Sequence, residues 1–153
     1  MAKKSAGILM YRFCGDTLQV FLVHPGGPFW ANKDRAAWSI PKGEFDDNED
    51  PFEAAKREFK EETGIGVEGD FFDLGQVKQS GGKRIFVWAI EGDLDPTEIV
   101  SNSFEMEWPP KSKKYQRFPE VDKAAWICAG EARAKLHKGQ VPLIDRLVET
   151  LGA

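Results

Sequence analysis

Three glutamates lie close together in the middle of the chain. Glu58, Glu61 and Glu62 follow the spacing i, i+3, i+4, which places their carboxylates on one side of a helix. One interpretation is a solvated helix face, neutralised by Arg57 and neighbouring lysines. The other is a site for a hard divalent cation such as Mg²⁺ or Mn²⁺, which takes oxygen ligands and keeps positions open for water and phosphate.

The flanking residues predict the helix that would carry these carboxylates. Asp50 is a suitable N-cap, Pro51 suits the first helical position, and Glu53 completes a capping box. Thr63 ends the predicted helix, and Gly64 supplies the left-handed stop.

A second face of the same helix is apolar. Phe52, Ala55 and Phe59 fall at i, i+3 and i+7, so this stripe is expected to pack against a core. The carboxylates then lie beside the buried face, on a helix whose position is fixed by packing.

The segment from Gly43 reads GEFDDNEDPFEAAKREFKEETGI. It resembles the box of the Nudix family, Gly-x5-Glu-x7-Arg-Glu-U-x-Glu-Glu-x-Gly-U, where U is bulky and apolar. The fixed positions are filled by Gly43, Glu49, Arg57, Glu58, Glu61, Glu62 and Gly64, and the apolar ones by Phe59 and Ile65. Seven such identities recur by chance in a chain this long about once in a million.

The resemblance implies an α/β/α sandwich and hydrolysis of a phosphoanhydride bond in a nucleoside polyphosphate. It also implies two or more Mg²⁺ or Mn²⁺ ions. By similarity, Glu61 and Glu62 are the main metal ligands, helped by Glu58 and by the carbonyl of Lys42. Glu58 is also one candidate for the general base.

Two further box residues are expected to support the site. By similarity, Arg57 orients the box glutamates, and Glu49 is its salt-bridge partner. Both are therefore expected to hold the carboxylates in place.

A further acid outside the box often joins the site in this family. Glu120 lies six residues before Trp126 in FPEVDKAAW, a spacing that resembles the downstream glutamate of several Nudix branches. Glu105 and Glu107 are rival candidates, and an exposed loop acid is the alternative interpretation of Glu120.

The substrate class is suggested by WSIPKG, which stands immediately before the box. It resembles the Trp-x-x-Pro-Lys-Gly of asymmetric diadenosine tetraphosphate hydrolases, and Lys42 within it either contacts a phosphate or stabilises the loop. Branches that act on ADP-ribose tend to carry a proline where this chain has Ser80, and the coenzyme A pyrophosphatase pattern is not apparent. A nucleoside triphosphate pyrophosphatase stays open, as does a non-catalytic nucleotide sensor on the same fold.

Several residues outside the box are candidates for substrate contact. Lys83 and Arg84 follow a Gly-Gly turn and are expected to reach distal phosphates, unless they only add surface charge. Tyr115 lies in the basic, aromatic segment KSKKYQRF of residues 111–118, which would grip phosphates and stack a base or be a solvated loop. Phe29, Trp30 and His24 are candidates for a base pocket or for core and surface roles.

The rest of the pattern predicts one domain, residues 1–153, with a mixed sheet covered by helices on both faces. Strands are expected at 5–13, 18–24, 71–79, 83–91, 98–108 and 124–127, a short extended segment at 38–41, and further helices at 130–137 and 141–151. Residues 25–37 and 111–117 are expected to be loops.

Composition bounds the class of protein. Of 153 residues, 41% are hydrophobic and 30% charged, as in an ordinary globular domain, and no apolar run approaches a membrane-spanning length. The net charge of −4 argues against a nucleic-acid-coating role and leaves a small anionic nucleotide as the expected partner. Cys14 and Cys128 are expected to be buried, reduced thiols in a cytosolic protein, either monomeric or homodimeric.

Overall fold

The computed structural model describes residues 3–153, apart from the side chain of Ser80; the first two residues of the predicted domain lie outside that part. Eight strands form one six-stranded and one two-stranded sheet. The strands are β1 (Lys4–Cys14), β2 (Thr17–Pro25), β3 (Lys42–Glu44), β4 (Phe72–Lys78), β5 (Arg84–Glu91), β6 (Ser103–Glu107), β7 (Tyr115–Pro119) and β8 (Val121–Cys128). The helices are α1 (Pro51–Thr63), α2 (Ala129–Lys135) and α3 (Pro142–Leu151).

The large sheet is mixed, as predicted. Its strands lie in the order β4-β5-β1-β2-β8, and β3 pairs separately with β1. The β1–β5 pair is parallel, while the other pairs of this sheet are antiparallel. The β6–β7 hairpin forms a small sheet of its own.

Strand β1 shows why helices cover both faces of this sheet. Successive side chains of a strand point to opposite faces. Ile8 and Met10 pack in one core with Phe59 of α1, whereas Leu9 packs in a second core with Leu143 of α3. The α/β/α layering is therefore confirmed.

The caps of α1 act as the sequence predicts. The Asp50 side chain accepts a hydrogen bond from the Glu53 backbone N–H at 3.0 Å, and Pro51 opens the helix. Gly64 ends it with a φ of 78°, and its N–H donates to the carbonyl of Lys60. Of the apolar stripe, Ala55 and Phe59 are fully buried.

The region after β5 differs from the prediction. The expected strand over residues 98–108 is shorter, Ser103–Glu107, because Glu98 ends a 3-10 turn and the backbone N–H groups of Val100 and Asn102 donate to carbonyls of α1. The expected loop over 111–117 is wrong at its end, since Tyr115–Pro119 pairs with β6. Strand β8 is longer than the predicted 124–127 because it pairs with β2 along most of its length.

The prediction that both cysteines are buried is wrong for Cys14. Its side chain is exposed at the β1–β2 turn, and Cys128 is partly exposed. Neither forms a disulfide. Among the helices of residues 3–153, none combines the length and the apolar character needed to cross a membrane.

Gly64 gives a test of this local structure. A Cβ there would lie 2.8 Å from the Val100 carbonyl oxygen, and the positive φ disfavours any other residue. We expect Gly64→Ala to lower the free energy of unfolding by about 1–2 kcal/mol in urea titrations, since a left-handed backbone costs a non-glycine residue that much. Gly66→Ala is the matched control, because a Cβ at Gly66 meets no atom within 4 Å. Equal stability of the two variants would contradict this explanation.

Candidate active site

The turn between β3 and α1 brings backbone and carboxylate into direct contact. A Cβ built on Gly43 would lie 1.9 Å from Oε2 of Glu58, so that only glycine leaves room for this carboxylate. The Glu58 side chain is only 11% exposed. The glycine of the motif is therefore required by the position of a glutamate fifteen residues later in the chain.

Arg57 forms ion pairs with three acids. Its Nε and Nη2 donate to the two carboxylate oxygens of Glu49 at 2.6 and 2.9 Å. Its Nη1 donates to Glu58 Oε1 at 2.7 Å and to Glu61 Oε2 at 3.1 Å. The bidentate contact with Glu49 fixes the guanidinium plane, and Nη1 positions the carboxylates of Glu58 and Glu61 on α1.

The third carboxylate of α1 contacts the preceding strand instead. The backbone N–H of Lys42 donates to Glu62 Oε1 at 3.3 Å. On its other side the same segment packs against β1, where Gly7 leaves room for it, since a Cβ there would lie 2.7 Å from the Pro41 carbonyl oxygen. The Pro41–Lys42 segment is thus held between β1 and α1.

One cavity of about 680 Å³ collects the predicted acids. Its acidic lining residues are Glu44, Glu58, Glu61, Glu62 and Glu120, and Lys42 is its single lysine or arginine. The opposite part of the lining is apolar and comes from Phe29, Trp30, Phe104 and Met106. We call this space the acidic cavity.

Burial and mutual repulsion disfavour the charged carboxylates in this cavity. Burial raises the pKa of Glu62 to about 8, although the nearby Lys42 opposes that change. Burial, with a smaller contribution from Glu61, also raises the pKa of Glu58 and of Glu120. A bound cation would remove this penalty, because it favours the ionised form of each carboxylate.

The donor set fits a hard divalent cation in its chemistry. Four carboxylate side chains, three on α1 and one at residue 120, line one cavity, and the pKa values of Glu58, Glu62 and Glu120 are raised, chiefly by burial. Among residues 3–153, no three acidic, histidine or cysteine side chains are arranged so that they could already hold a metal ion. Because Arg57 occupies oxygens of Glu58 and Glu61, ion binding would require these side chains to adjust.

Glu120 reaches the cavity through the root of the β6–β7 hairpin. Its backbone N–H donates to the Asn102 carbonyl at 2.8 Å, and the Asn102 N–H donates to the Glu61 carbonyl at 3.0 Å. On its other side, the Glu120 carbonyl accepts from Gly26 at 2.9 Å. These three bonds connect the hairpin directly to the last turn of α1 and to the 26–37 loop.

The rival acids face elsewhere. Glu105 pairs with Arg117 across the hairpin at 3.8 Å, and Glu107 accepts hydrogen bonds from the backbone of the 111–113 turn. Neither lines the acidic cavity. Their neighbours Phe104 and Met106 do, because alternate residues of β6 point to opposite faces. The alternation in SFEME is the sequence signal that could have identified this apolar wall.

Of the predicted substrate-contact residues, two line a cavity and two do not. Lys42 lines the acidic cavity, and Lys83 lies across from it in a neighbouring cavity. Arg84 lies at the exposed start of β5 and lines neither cavity. Tyr115 is 64% exposed on β7 and also lines neither.

Of the three candidates for a base pocket, Phe29 and Trp30 line the acidic cavity, but His24 does not. His24 is fully buried. Its Nδ1 lies 2.9 Å from Asp122 Oδ1 and its Nε2 lies 2.6 Å from the Lys33 carbonyl oxygen. It therefore fastens the loop that carries Phe29 and Trp30 to strand β8.

A family model of the NUDIX domain matches residues 1–147. No curated protein sequence matches the chain. Among solved structures, a Caenorhabditis elegans Ap4A hydrolase in a binary complex has a TM-score of 0.65 at 20% identity, covering 99% of this chain and 98% of that one.

Two other solved structures have the same fold. The NUDIX domain of Shewanella oneidensis NrtR, complexed with ADP ribose, has a TM-score of 0.67 at 16% identity, covering 99% of this chain and 89% of that one. A MutT protein from Methanosarcina mazei Go1 has a TM-score of 0.63 at 19% identity, covering 99% and 96%. Since the family model spans nearly the whole sequence, this chain belongs to the Nudix family of pyrophosphohydrolases.

Proposed function

We propose that this protein hydrolyses a phosphoanhydride bond in a dinucleoside polyphosphate, with a nucleoside triphosphate as the alternative substrate. The observation that carries the proposal is the acidic cavity itself, which is lined by five glutamates and by apolar and aromatic side chains. Its volume of about 680 Å³ suits a nucleotide-sized ligand.

The glutamates are the proposed metal-binding groups. Glu58, Glu61, Glu62 and Glu120, together with the carbonyl of Lys42, would hold two or more Mg²⁺ or Mn²⁺ ions. Such ions neutralise a phosphate chain and lower the pKa of water. Without them, a cavity lined by five acids and one lysine would repel a polyphosphate.

The reaction is a displacement at phosphorus. The oxygen of a water molecule forms a bond to one phosphorus atom while the bond from that phosphorus to the bridging oxygen breaks, and the bridging oxygen leaves with the electron pair. A carboxylate of the cavity accepts the proton that the water loses. Glu58 and Glu120 are the two candidates for this base, and Arg57 positions the former through its 2.7 Å hydrogen bond.

The aromatic wall is the proposed base-binding surface. Phe29 is 58% exposed, and its ring packs edge to face against Trp108 of the hairpin, with ring centroids 5.4 Å apart. Trp30 presents a second ring to the cavity. A nucleobase stacked on such rings gains about 1–3 kcal/mol, which offsets part of the cost of ordering the nucleotide.

The choice of substrate is supported by two independent features. WSIPKG resembles the corresponding segment of asymmetric diadenosine tetraphosphate hydrolases, and it forms one edge of the cavity through Lys42. The fold is also similar over almost its full length to that of an Ap4A hydrolase. A non-catalytic nucleotide sensor is the alternative, but the complete set of box acids favours hydrolysis.

Removal of one charge on α1 tests the catalytic assignment. We expect Glu61→Gln to lower kcat about 100-fold with Mg²⁺, since loss of a proposed metal-binding carboxylate weakens the hold on the ion that would stabilise charge at phosphorus. Glu53→Gln is the control on the same helix, because the Glu53 carboxylate pairs with Lys56 and does not line the cavity. Parent-like turnover by a folded Glu61→Gln variant would show that the assignment is wrong.

A second comparison tests the acid outside the box. Glu120→Gln should reduce kcat/KM by at least about tenfold more than Glu105→Gln, because only Glu120 lines the cavity. Glu105 lies on β6 and Glu120 directly after β7, and each change removes one carboxylate charge, so steady-state kinetics of the two variants compare a position in the cavity with one outside it. A stronger loss in Glu105→Gln would move the additional acid to the earlier strand.

The substrate is identified by its products. The protein is incubated with a panel of dinucleoside polyphosphates, nucleoside triphosphates and ADP-ribose in isotopically labelled water. The products are then separated by chromatography and identified by mass spectrometry. We expect fastest turnover of a dinucleoside tetraphosphate, giving a nucleoside triphosphate and a nucleoside monophosphate. Faster turnover of ADP-ribose would contradict the proposed substrate class.

A further inference from the structure

A second cavity, of about 320 Å³, lies next to the acidic cavity. The two share Pro25, Trp30 and Lys42, so Lys42 stands between them. The additional charged or titratable residues of the second cavity are Lys83 and His137, and no Asp or Glu lines it. The two spaces therefore have opposite electrostatic character, negative on one side of Lys42 and positive on the other. We call the second space the basic cavity.

Three separate parts of the fold build the basic cavity. Lys42 comes from β3, Gln79 and Lys83 flank the β4–β5 turn, and His137 precedes the 3-10 turn Lys138–Gln140. The close approach of two of these turns depends on Gly139, since a Cβ there would lie 2.8 Å from the Lys78 carbonyl oxygen. The fold thus brings basic residues from distant positions in the sequence to one place.

His137 offers a hydrogen-bond donor to this space. Its Nδ1 accepts a hydrogen bond from the Gly139 backbone N–H at 3.2 Å, so the proton of the neutral ring must be on Nε2. Burial, and then the positive charge of Lys42, lower the pKa of His137 and keep the ring neutral at pH 7. Among the described residues, Nε2 has no hydrogen-bond partner.

The rest of the lining contributes few competing acceptors. Gln140 is fully buried, and its amide is already paired with the Ile40 N–H and the Ser39 hydroxyl. Lys83 has one acidic neighbour, Glu44, with Nζ to Oε1 at 3.7 Å, on an exposed side chain. An anion entering the cavity would therefore meet two lysines, Lys42 and Lys83, and the imidazole N–H of His137.

We infer that the basic cavity binds the distal phosphates of the substrate. This inference rests on the proposed function, and it makes the substrate a phosphate chain long enough to pass from the acidic cavity, beside Lys42, to Lys83 and His137. Phosphate oxygens accept charge-assisted hydrogen bonds from lysine and strong ones from an imidazole N–H. The residue that distinguishes long chains from short ones is His137.

Binding of an anion is measured without catalysis. The chain contains two histidines, His24 and His137, so its imidazole NMR signals are few and are assigned by their loss in a His137→Asn variant. Inorganic tripolyphosphate is titrated into the parent protein in the absence of divalent ions, where the acidic cavity repels it. We expect the His137 signals to shift in a saturable manner while those of buried His24 stay in place. Unchanged His137 signals at millimolar tripolyphosphate would overturn the inference.

Kinetics give the matching test on substrates. Asparagine can still accept the Gly139 hydrogen bond but is too short to present a donor to the cavity, so His137→Asn keeps the turn. We expect this variant to raise KM about tenfold for dinucleoside tetra- and pentaphosphates, with kcat nearly unchanged, since one hydrogen bond to a charged group is worth about that factor. Substrates with two phosphates should be unaffected. Lys138→Gln, an exposed change in the same turn, is the control.

The two experiments separate this inference from the proposed function. If tripolyphosphate shifts His137 but no dinucleoside polyphosphate is hydrolysed, the anion site stands and the proposed function fails. If hydrolysis is fast but KM in His137→Asn is unchanged for every chain length, the proposed function stands and the distal subsite is wrong.

Discussion

The contact between the Glu58 carboxylate and the bare Cα of Gly43 determines how closely strand β3 approaches helix α1. Any side chain at residue 43 would overlap the carboxylate, which would lie 1.9 Å from the added Cβ. Arg57 then holds the same carboxylate from the other side while it is itself fixed by Glu49. Gly43, Glu49, Arg57 and Glu58 thus form one connected group of contacts, and these contacts orient the acids that line the cavity.

Acidic and basic side chains line two neighbouring cavities beside this group of contacts. Five acids line one cavity, none lines the next, and Lys42 stands where the two spaces meet. Burial and mutual repulsion destabilise the ionised carboxylates on one side, and burial disfavours a charged imidazole on the other. A polyphosphate with divalent cations satisfies both sides at once, since the cations balance the acids and the distal phosphates balance the bases.

The sequence predicted the parts of the structure that depend on local interactions. The bounds of α1 follow from Asp50, Pro51 and Gly64, whose capping geometry involves only neighbouring residues. Glu120 was proposed as a site acid because its spacing before Trp126 resembles that of several Nudix branches, and it does line the cavity. The catalytic and metal-binding roles of these acids are still predictions.

Features that depend on distant parts of the chain could not be anticipated. The basic cavity exists because the β4–β5 turn meets the turn between α2 and α3, and neither turn carries a signal for the other. The apolar wall of Phe104 and Met106 was not predicted, because Glu105 and Glu107, which alternate with them, were interpreted as candidate site acids. Arg84 was grouped with Lys83 by proximity in sequence, yet strand geometry separates neighbours onto opposite faces.

The most direct test of the account is the binding of Mn²⁺ to the folded protein, measured by titration calorimetry and electron paramagnetic resonance with a non-hydrolysable, methylene-bridged dinucleotide present. The account predicts saturable binding of at least one ion, with an affinity that falls at least about tenfold in Glu62→Gln, in line with the loss of a carboxylate ligand. It predicts no such change in Glu53→Gln. Absence of Mn²⁺ binding to the well-folded parent, or equal binding by Glu62→Gln, would contradict the central claim that the acids of α1 form a cation site.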